Sequence, residues 1–206
     1  IELVLGVTLT AGEYALAKPL SVFLNKHPEM NMHIIYGNAE QLLAKLDNGE
    51  IHFALIEGYF PSHKYEQLLY YTDSFICVCA KNHTFSKKVN HIEDLLNERI
   101  LIRETGSGTR DLLDSYLKTY NLSYLDFKNH LEIESISSII SLLKNDCGIS
   151  FLYRLSVEEE LKNGSLKEIK IQNLQLHHDT TFLWNKNSVY SKQYKEICKE
   201  LIGGFN

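Results

Sequence analysis

One glycine-rich stretch decides how the rest of the chain is interpreted: Arg103-Glu104-Thr105-Gly106-Ser107-Gly108-Thr109-Arg110. An apolar run at residues 100–102 precedes it, and apolar residues spaced three and four apart follow it between 112 and 120. This pattern predicts a strand, a tight turn and the start of a helix. Gly106 and Gly108 have no Cβ atom, so the turn can adopt positive φ and a ligand can come close to the backbone.

The start of the predicted helix makes this turn a candidate ligand cradle. Ser107 or Thr109 can cap the helix, and the N–H groups of its first turn, at the positive end of the helix dipole, can bind an anion. The stretch is not a phosphate-binding P-loop, because no Lys-Ser/Thr pair closes the spacing. It is not a G-x-S-x-G nucleophile elbow, because Thr105 and Thr109 stand where glycines are required. The alternative is a plain strand-to-helix turn that binds nothing.

The composition is that of a globular protein without a nucleic-acid surface of its own. The 206 residues are 44% hydrophobic and carry a net charge of −5. This length is enough for one large domain or two lobes of about 100 residues each. The basic residues are scattered, so any DNA contact has to come from another segment. No apolar run approaches the roughly 20 residues of a membrane span, and we expect no membrane partner. The chain begins with Ile rather than Met, so we expect a fragment or a processed product.

The cysteines and histidines predict neither a metal site nor a cofactor. The four cysteines lack a C-x-x-C pair and a His at zinc spacing; they are Cys77, Cys79, Cys147 and Cys198. Cys77 and Cys79 alternate with apolar residues, which favours small buried hydrophobes in a reducing cytosol, although an even count leaves disulfides open. The sequence His177-His178-Asp179 suggests a metal pair, but neighbouring strand residues point to opposite faces, which favours a strand edge.

The first third of the chain predicts a βαβαβ unit. Apolar runs at 3–7, 32–36 and 51–56 are typical of strands, and residues 8–12 form the loop after the first one. One predicted helix carries Leu16, Leu20, Phe23 and Leu24 on one face, and Asn38 with Gln41 forms a capping box for the next. The crossovers imply a parallel sheet with a ligand site at the carboxyl ends of its strands.

The remainder predicts a second unit of the same outline. The run at 70–80 indicates a long strand that passes from one lobe to the other. The second unit has strands at 100–103, 127–133 and 149–152, a helix up to Tyr120 and another from Ser135. Beyond it we expect a short helix capped by Ser156 with Glu159, a solvated strand at 166–171, a crossing strand at 177–184 and a last helix at 191–202.

Taken in order, these motifs resemble the effector-binding domain of LysR-type transcriptional regulators over essentially the whole chain. The carriers are the glycine-rich stretch itself, Leu5-Gly6-Val7-Thr8, Pro19-Leu20 with Phe23 and Pro28, Gly37, Leu46, Gly49, Phe53-Ala54-Leu55-Ile56, Asn82-His83-Thr84-Phe85-Ser86, Leu95 and Cys147-Gly148-Ile149-Ser150-Phe151-Leu152. The resemblance implies an α/β fold of two Rossmann-like lobes joined by two crossover strands, like type 2 periplasmic binding proteins. We expect lobe I at 1–75 plus 178–206 and lobe II at 76–177. In that family a winged helix-turn-helix, absent from these residues, comes first and binds DNA.

The resemblance also implies a small-molecule effector bound between the lobes. Carried over by position, the candidate ligand-binding residues are Thr8, Leu9, Thr10, Glu57, Gly106, Ser107, Gly108, Thr109 and Ser135. Their hydroxyl and free N–H groups suit a carboxylate or oxyanion, because each donates a hydrogen bond without bringing charge. Glu57 adds a carboxylate, so an amino acid or another zwitterion is the alternative.

His52 and the two arginines of the glycine-rich stretch each allow two interpretations. The family usually has Asp where His52 stands, and we expect a satisfied core histidine rather than a pH sensor. Arg103 and Arg110 either clamp a carboxylate or pair with the acidic residues at 104, 111 and 114.

Three classes of function follow, and the motifs favour the first. It is the sensing domain of a cytoplasmic bacterial regulator, in which the effector shifts the angle between lobes and the spacing of the DNA-binding heads. The second is an extracytoplasmic solute-binding protein of the same fold. An enzyme is not predicted, because no nucleophile with a base and no paired carboxylates stand at identifiable spacing. We expect a side-by-side antiparallel homodimer, or a tetramer at full length. The helices at 14–26 and 191–202 carry apolar residues, and the family resemblance implies that helices of one lobe pack against strands of the second lobe of the other subunit.

Overall fold

The computed structural model describes residues 2–206 and divides the chain into two compact units. The first unit runs through Thr72 and resumes at Asp179, and the second extends from Asp73 to His178. Two strands, β4 (Tyr65–Ala80) and β9 (Leu176–Asn185), pass from one unit to the other. The boundaries expected from the sequence lay after residues 75 and 177.

The first unit is built on a parallel sheet in the order β2-β1-β3, to which β9 adds an antiparallel strand. The parallel strands are β1 (Glu2–Val7), β2 (Asn31–Tyr36) and β3 (Phe53–Glu57). The helices of this unit are α1 (Leu9–Tyr14), α2 (Ala17–Lys26), α3 (Ala39–Asp47) and α7 (Ser191–Phe205). All five residues of β3 are buried, as expected of a central parallel strand.

The start of α3 confirms the predicted capping box. The Asn38 side chain accepts a hydrogen bond from the Gln41 N–H at 2.9 Å, and the Gln41 side chain accepts one from the Asn38 N–H at 3.0 Å. Leu42 and Leu46 of this helix are fully buried. Both the cap and the apolar spacing lie within a few residues, so the sequence alone predicted this helix correctly.

The second unit repeats the arrangement with a parallel sheet in the order β6-β5-β7. Its strands are β5 (Arg99–Ile102), β6 (Asn129–Glu132), β7 (Ile149–Tyr153) and β8 (Leu166–Ile169), and β4 pairs antiparallel with both β7 and β8. Its helices are α4 (Gly108–Thr119), α5 (Ile136–Lys144) and α6 (Arg154–Asn163). β6 has all four residues exposed, so it is the open edge of this sheet.

The loop predicted at residues 8–12 is wrong, because helix α1 begins directly after β1 at Leu9. Thr8 stays extended and its carbonyl accepts a hydrogen bond from the Gly12 N–H at 2.8 Å. A Cβ atom on Gly12 would lie 2.5 Å from the Tyr36 ring. The glycine is therefore there for close packing of α1 against the end of β2, and not for a loop.

The Ser156 cap is also wrong, because α6 begins at Arg154. The Ser156 hydroxyl donates to the Tyr153 carbonyl at 2.7 Å. Asp73 supplies the cap from β4: its carboxylate accepts a hydrogen bond from the Leu155 N–H at 2.9 Å. Burial raises the pKa of Asp73 in spite of this hydrogen bond.

One expectation about exposure fails. The strand expected to be solvated at 166–171 ends at Ile169, and both Leu166 and Ile169 are buried. Helices α2 and α7, expected at a dimer interface, bury Phe23 and Leu201 within the first unit, whereas Val22 of α2 is 41% exposed, so this interface stays a prediction. Within residues 2–206, no helix is long and apolar enough to cross a membrane.

Candidate ligand-binding site

The carboxyl ends of β1 and β3 bring Thr8 and Glu57 together in the first unit. These strands are adjacent and parallel, with Val7 opposite Leu55, so the residues that follow them share one edge of the sheet. The Thr8 hydroxyl donates to a Glu57 carboxylate oxygen, and both side chains are buried. This edge therefore holds a buried carboxylate that can accept a hydrogen bond from a ligand donor.

Thr10 lies one helical position beyond Leu9, in the first turn of α1. Its side chain is only 1% exposed, and its Oγ1 atom has no hydrogen-bond partner in the part of the chain that the structure describes. An unpaired buried hydroxyl costs about 1–3 kcal/mol, so such groups are rare, and this one is available to a ligand. Leu9 is partly exposed and offers apolar contact beside it.

The glycine-rich turn of the second unit has the predicted geometry. Gly106 has a φ of +95°, and the Ser107 N–H donates to the Glu104 carbonyl at 3.3 Å. Ser107 is the N-cap of α4, and its hydroxyl accepts a hydrogen bond from the Arg110 N–H at 3.4 Å. Of the two caps considered, Ser107 is the one used, which leaves Thr109 without that role.

Thr109 is the second residue of α4, and its side chain is 4% exposed. Its Oγ1 atom has no hydrogen-bond partner among residues 2–206. The N–H groups of Gly108 and Thr109 belong to the first turn, where no helix supplies an acceptor of its own. One hydroxyl and the helix start thus combine into a neutral set of donors, which suits an oxyanion.

Ser135 is the N-cap of α5 and is partly exposed. Its hydroxyl accepts a hydrogen bond from the Ser138 N–H at 3.2 Å and lies 3.1 Å from the Ser137 hydroxyl. The prediction that Ser135 opens this helix is confirmed. Its capping bond still leaves hydroxyl capacity for one further contact.

The two arginines of the stretch pair with carboxylates. Arg103 is buried and binds both oxygens of Glu104, at 2.7 and 3.2 Å. Arg110 binds Asp114 at 3.0 Å and Glu132 at 3.1 Å. Burial alone would lower the pKa of Arg110, but the neighbouring Asp114 and Glu132 carboxylates raise it overall. The pairing alternative is therefore the one observed, and both arginines are neutralised within their own unit.

His52 makes the structural contacts expected of it. Its Nδ1 atom accepts a hydrogen bond from the Val4 N–H at 2.8 Å, and its ring lies 6.2 Å from that of Tyr194. The ring thus joins the segment before β3 to β1.

The cysteines and Asp179 have structural surroundings in the described residues. All four cysteines are free, which excludes the disulfide alternative, and Cys77 and Cys79 are buried as predicted. Burial raises the pKa of Cys79 to about 11, which keeps the thiol protonated and unreactive. Asp179 accepts a hydrogen bond from the Thr72 hydroxyl at 2.6 Å. In residues 2–206, no group of three or more His, Cys, Asp or Glu side chains could hold a metal ion.

Tyr36 is a further candidate for ligand contact that the sequence pattern does not indicate. It ends β2, is about half exposed and packs on Gly12 at the same sheet edge as Thr8. Burial and the nearby Glu13 carboxylate raise the pKa of its phenol, so it stays a neutral donor at physiological pH. The strand end at 36–38 was predicted, but nothing in the local pattern marks the tyrosine itself.

The fold and the polar strand ends define a ligand-binding protein of the periplasmic-binding-protein-like type, with two α/β units joined by two strands. The profile of the LysR substrate binding domain matches residues 2–203, and the chain belongs to that family. Probable RuBisCO transcriptional regulators of Gracilaria tenuistipitata var. liui and Chlorokybus atmophyticus are each 26% identical to it over 98% of its length. The chain covers 66% of each of these relatives, about two thirds of their length.

Solved structures show the same fold at low identity. The CcmR regulatory domain of Synechocystis PCC6803, solved in complex with 2-PG, has a TM-score of 0.86 and 20% identity, covering 100% of this chain and 97% of that one. The effector binding domain of QuiR in complex with shikimate has a TM-score of 0.78 and 20% identity, covering 96% and 95%. The reduced regulatory domain of OxyR2 from Vibrio vulnificus has a TM-score of 0.82 and 19% identity, covering 99% and 95%.

Proposed function

We propose that this chain is the small-molecule-sensing part of a LysR-type transcriptional regulator that acts on DNA in the cytoplasm. DNA binding belongs to a separate N-terminal winged helix-turn-helix, because the chain has a net charge of −5 and scattered basic residues. Membership of the LysR substrate binding domain family supports this role, as do relatives named as transcriptional regulators. We propose binding without catalysis, and no cofactor.

The effector that we propose is a small carboxylate or oxyanion, or an amino-acid-like molecule. The observation that carries the proposal is the pair of buried hydroxyls, Thr10 Oγ1 and Thr109 Oγ1, that have no hydrogen-bond partner in the described residues. In the second unit, Thr109 adds to the N–H groups at the start of α4, which favours a negative group. In the first unit, buried Glu57 favours a ligand donor, such as an ammonium or hydroxyl group. Fold neighbours solved with 2-PG and with shikimate support a small organic ligand.

The remaining candidate residues have separate roles in the two units. Gly106 and Gly108 allow close approach to the backbone of the turn. The Ser107 hydroxyl is committed to capping, so its part is to hold the turn, whereas Thr8 orients the Glu57 carboxylate. Leu9 and Ser135 add one apolar and one hydroxyl contact.

A thermal-shift screen of small carboxylates, inorganic oxyanions and amino acids tests the proposal. A ligand present at 100 times its Kd stabilises the folded state by about 2.7 kcal/mol, which raises Tm by roughly 5–10 °C for a domain of this size. We expect the hits to lose affinity for Thr10→Val and Thr109→Val. The matched control is Thr119→Val at the far end of α4, whose hydroxyl is already bonded to the Tyr116 carbonyl. Hits that bind all variants as tightly as the unchanged protein would contradict the assignment.

The coding sequence upstream of Ile1 separates the regulator from a solute-binding protein of the same fold. An in-frame helix-turn-helix segment is the expected result. A secretory signal peptide in that position would overturn the regulator proposal.

We propose that the domain forms a homodimer, within a dimer or tetramer of the full-length protein. The open edge of β6 supports this, because Leu131 is 40% exposed on a strand that pairs only with β5 among residues 2–206. Sedimentation velocity at high micromolar concentration should detect a species heavier than the 23.8 kDa chain. Leu131→Asp should weaken association, and Leu125→Asp, at another exposed leucine, serves as the control. A purely monomeric boundary would contradict the proposal.

A further inference from the structure

Arg110 joins the glycine-rich turn to the open edge of the second unit's sheet. Its side chain is only 6% exposed. One guanidinium nitrogen, Nη1, donates both to the Arg103 carbonyl at 2.8 Å and to a Glu132 carboxylate oxygen at 3.1 Å. A single buried nitrogen is thus shared between the backbone at the start of the turn and the last residue of β6.

The same residue holds the other side of the turn as well. Its backbone N–H donates to the Ser107 hydroxyl, and its Nε binds both carboxylate oxygens of Asp114 at 3.0 and 3.1 Å. The guanidinium also lies 4.5 Å from the centre of the Tyr124 ring. Only the planar, multiply donating arginine side chain can serve this set of acceptors, because a lysine ammonium has neither the fork nor the stacking face.

We propose that Arg110 is a positioning residue that couples the geometry of the turn at 103–107 to the edge strand β6. Any movement of Glu132 changes how Arg110 holds the Arg103 carbonyl, and any movement of the turn changes the ion pair at β6. The part of this proposal that concerns ligand binding at the turn rests on the proposed function. Coupling of this kind is reciprocal, so a protein surface that binds β6 and a ligand that binds the turn alter each other's affinity.

Hydrogen exchange in the ligand-free domain tests the coupling independently of any effector. Glu132→Gln removes the charge of one Arg110 acceptor, and we expect roughly 1.5-fold to fivefold faster exchange in peptides that cover 103–107, the effect of losing a partly exposed ion pair. The matched control is Glu134→Gln, because in the described part of the chain Glu134 makes no hydrogen bond or ion pair. Faster exchange confined to β6, or equal effects of the two variants, would overturn the proposal.

Arg110→Lys provides the second variant. It keeps the charge but loses the shared geometry, so we expect faster exchange in both the turn and β6. Adding Glu132→Gln to Arg110→Lys should then change the turn little further, because both substitutions break one connection. Additive effects would show two independent roles and overturn the coupling.

Inorganic sulfate serves as the probe of ligand coupling. Its affinity for the turn, measured by chemical-shift titration, should differ between Glu132→Gln and Glu134→Gln by roughly 1.5-fold to fivefold, because both variants remove one negative charge and only the first removes an Arg110 contact. Sulfate binding that is equal in both variants would overturn the ligand part of the coupling. Sulfate that fails to bind the unchanged domain would count against the proposed oxyanion class, while the exchange experiment still decides the coupling.

Discussion

Replacing Thr109 by Val should strengthen the fold and weaken effector binding at the same time. The two side chains have nearly the same shape, so the substitution exchanges a hydroxyl for a methyl group without opening a cavity. The lost hydroxyl makes no hydrogen bond in residues 2–206, and its side chain is 4% exposed. Removing an unpaired buried polar group should raise the free energy of unfolding by about 1 kcal/mol. This corresponds to a Tm increase of roughly 2–4 °C for a domain of this size.

The effect on binding has the opposite sign. Leaving a ligand polar group without its partner in a buried site weakens the binding free energy by about 1–3 kcal/mol, so the Kd of the effector should rise by a factor of roughly 5 to 150. Gains in stability accompanied by loss of binding are typical of residues kept for function. Urea unfolding followed by circular dichroism measures the first quantity, and calorimetric titration with a hit from the screen measures the second.

Thr119→Val separates this signature from a general effect of the substitution. Its hydroxyl donates to the Tyr116 carbonyl at 2.7 Å, so its loss should lower the free energy of unfolding by about 1 kcal/mol and leave the Kd unchanged. Two results would contradict the role of Thr109. A loss of stability in Thr109→Val would mean that the Thr109 hydroxyl is paired in solution, and an unchanged Kd would remove Thr109 from the site.

Three further predictions concern stability and are checked by urea unfolding. Asp73→Ala removes the cap of α6 and should lower the free energy of unfolding by about 1 kcal/mol; no loss would mean that the helix start does not need it. Two backbone N–H groups and a lysine lower the pKa of Asp94 from its ordinary value of 3.8, so its contribution is present above pH 3.8 and is lost as the pH falls through the lowered pKa. Asp94→Asn should therefore reduce the loss of unfolding free energy as the pH falls below 3.8. An unchanged pH dependence would contradict the assignment. Gly148→Ala should lower the free energy of unfolding by roughly 2–4 kcal/mol, because the added Cβ would lie 2.4 Å from the Arg99 carbonyl oxygen at a φ of +155°. The control Gly203→Ala, in open space on α7, should be neutral or stabilising by up to about 1 kcal/mol. Similar effects of the two substitutions would contradict this prediction.

Local signals explain most of what the sequence predicted. Most strands and helices of both units follow from apolar spacing, and the caps at Asn38, Ser107 and Ser135 lie within three residues of the N–H groups that they satisfy. The prediction of the α6 cap failed because the capping residue, Asp73, is 82 positions from Leu155 along the chain. The prediction of a loop in place of α1 failed because Gly12, which indicates a loop in the sequence, allows close packing against Tyr36 instead.

The candidate site likewise contains residues that local sequence signals indicate and roles that depend on distant contacts. The sequence could nominate hydroxyl residues at strand ends and at the glycine-rich turn, because parallel crossovers fix which edge of a sheet they share. It could not distinguish Ser107, whose hydroxyl is used by the helix, from Thr109, whose hydroxyl is not. Nor could it choose between two roles for Arg110, because the deciding acceptor, Glu132, lies on another strand.

A crystal structure of this domain with an effector found by the screen shows whether Thr109 binds the ligand. We expect a ligand oxygen within hydrogen-bond distance, about 2.5–3.0 Å, of the Thr109 hydroxyl, with further ligand oxygens facing the first N–H groups of α4. A ligand bound at any other place, with Thr109 Oγ1 still unpaired, would contradict it.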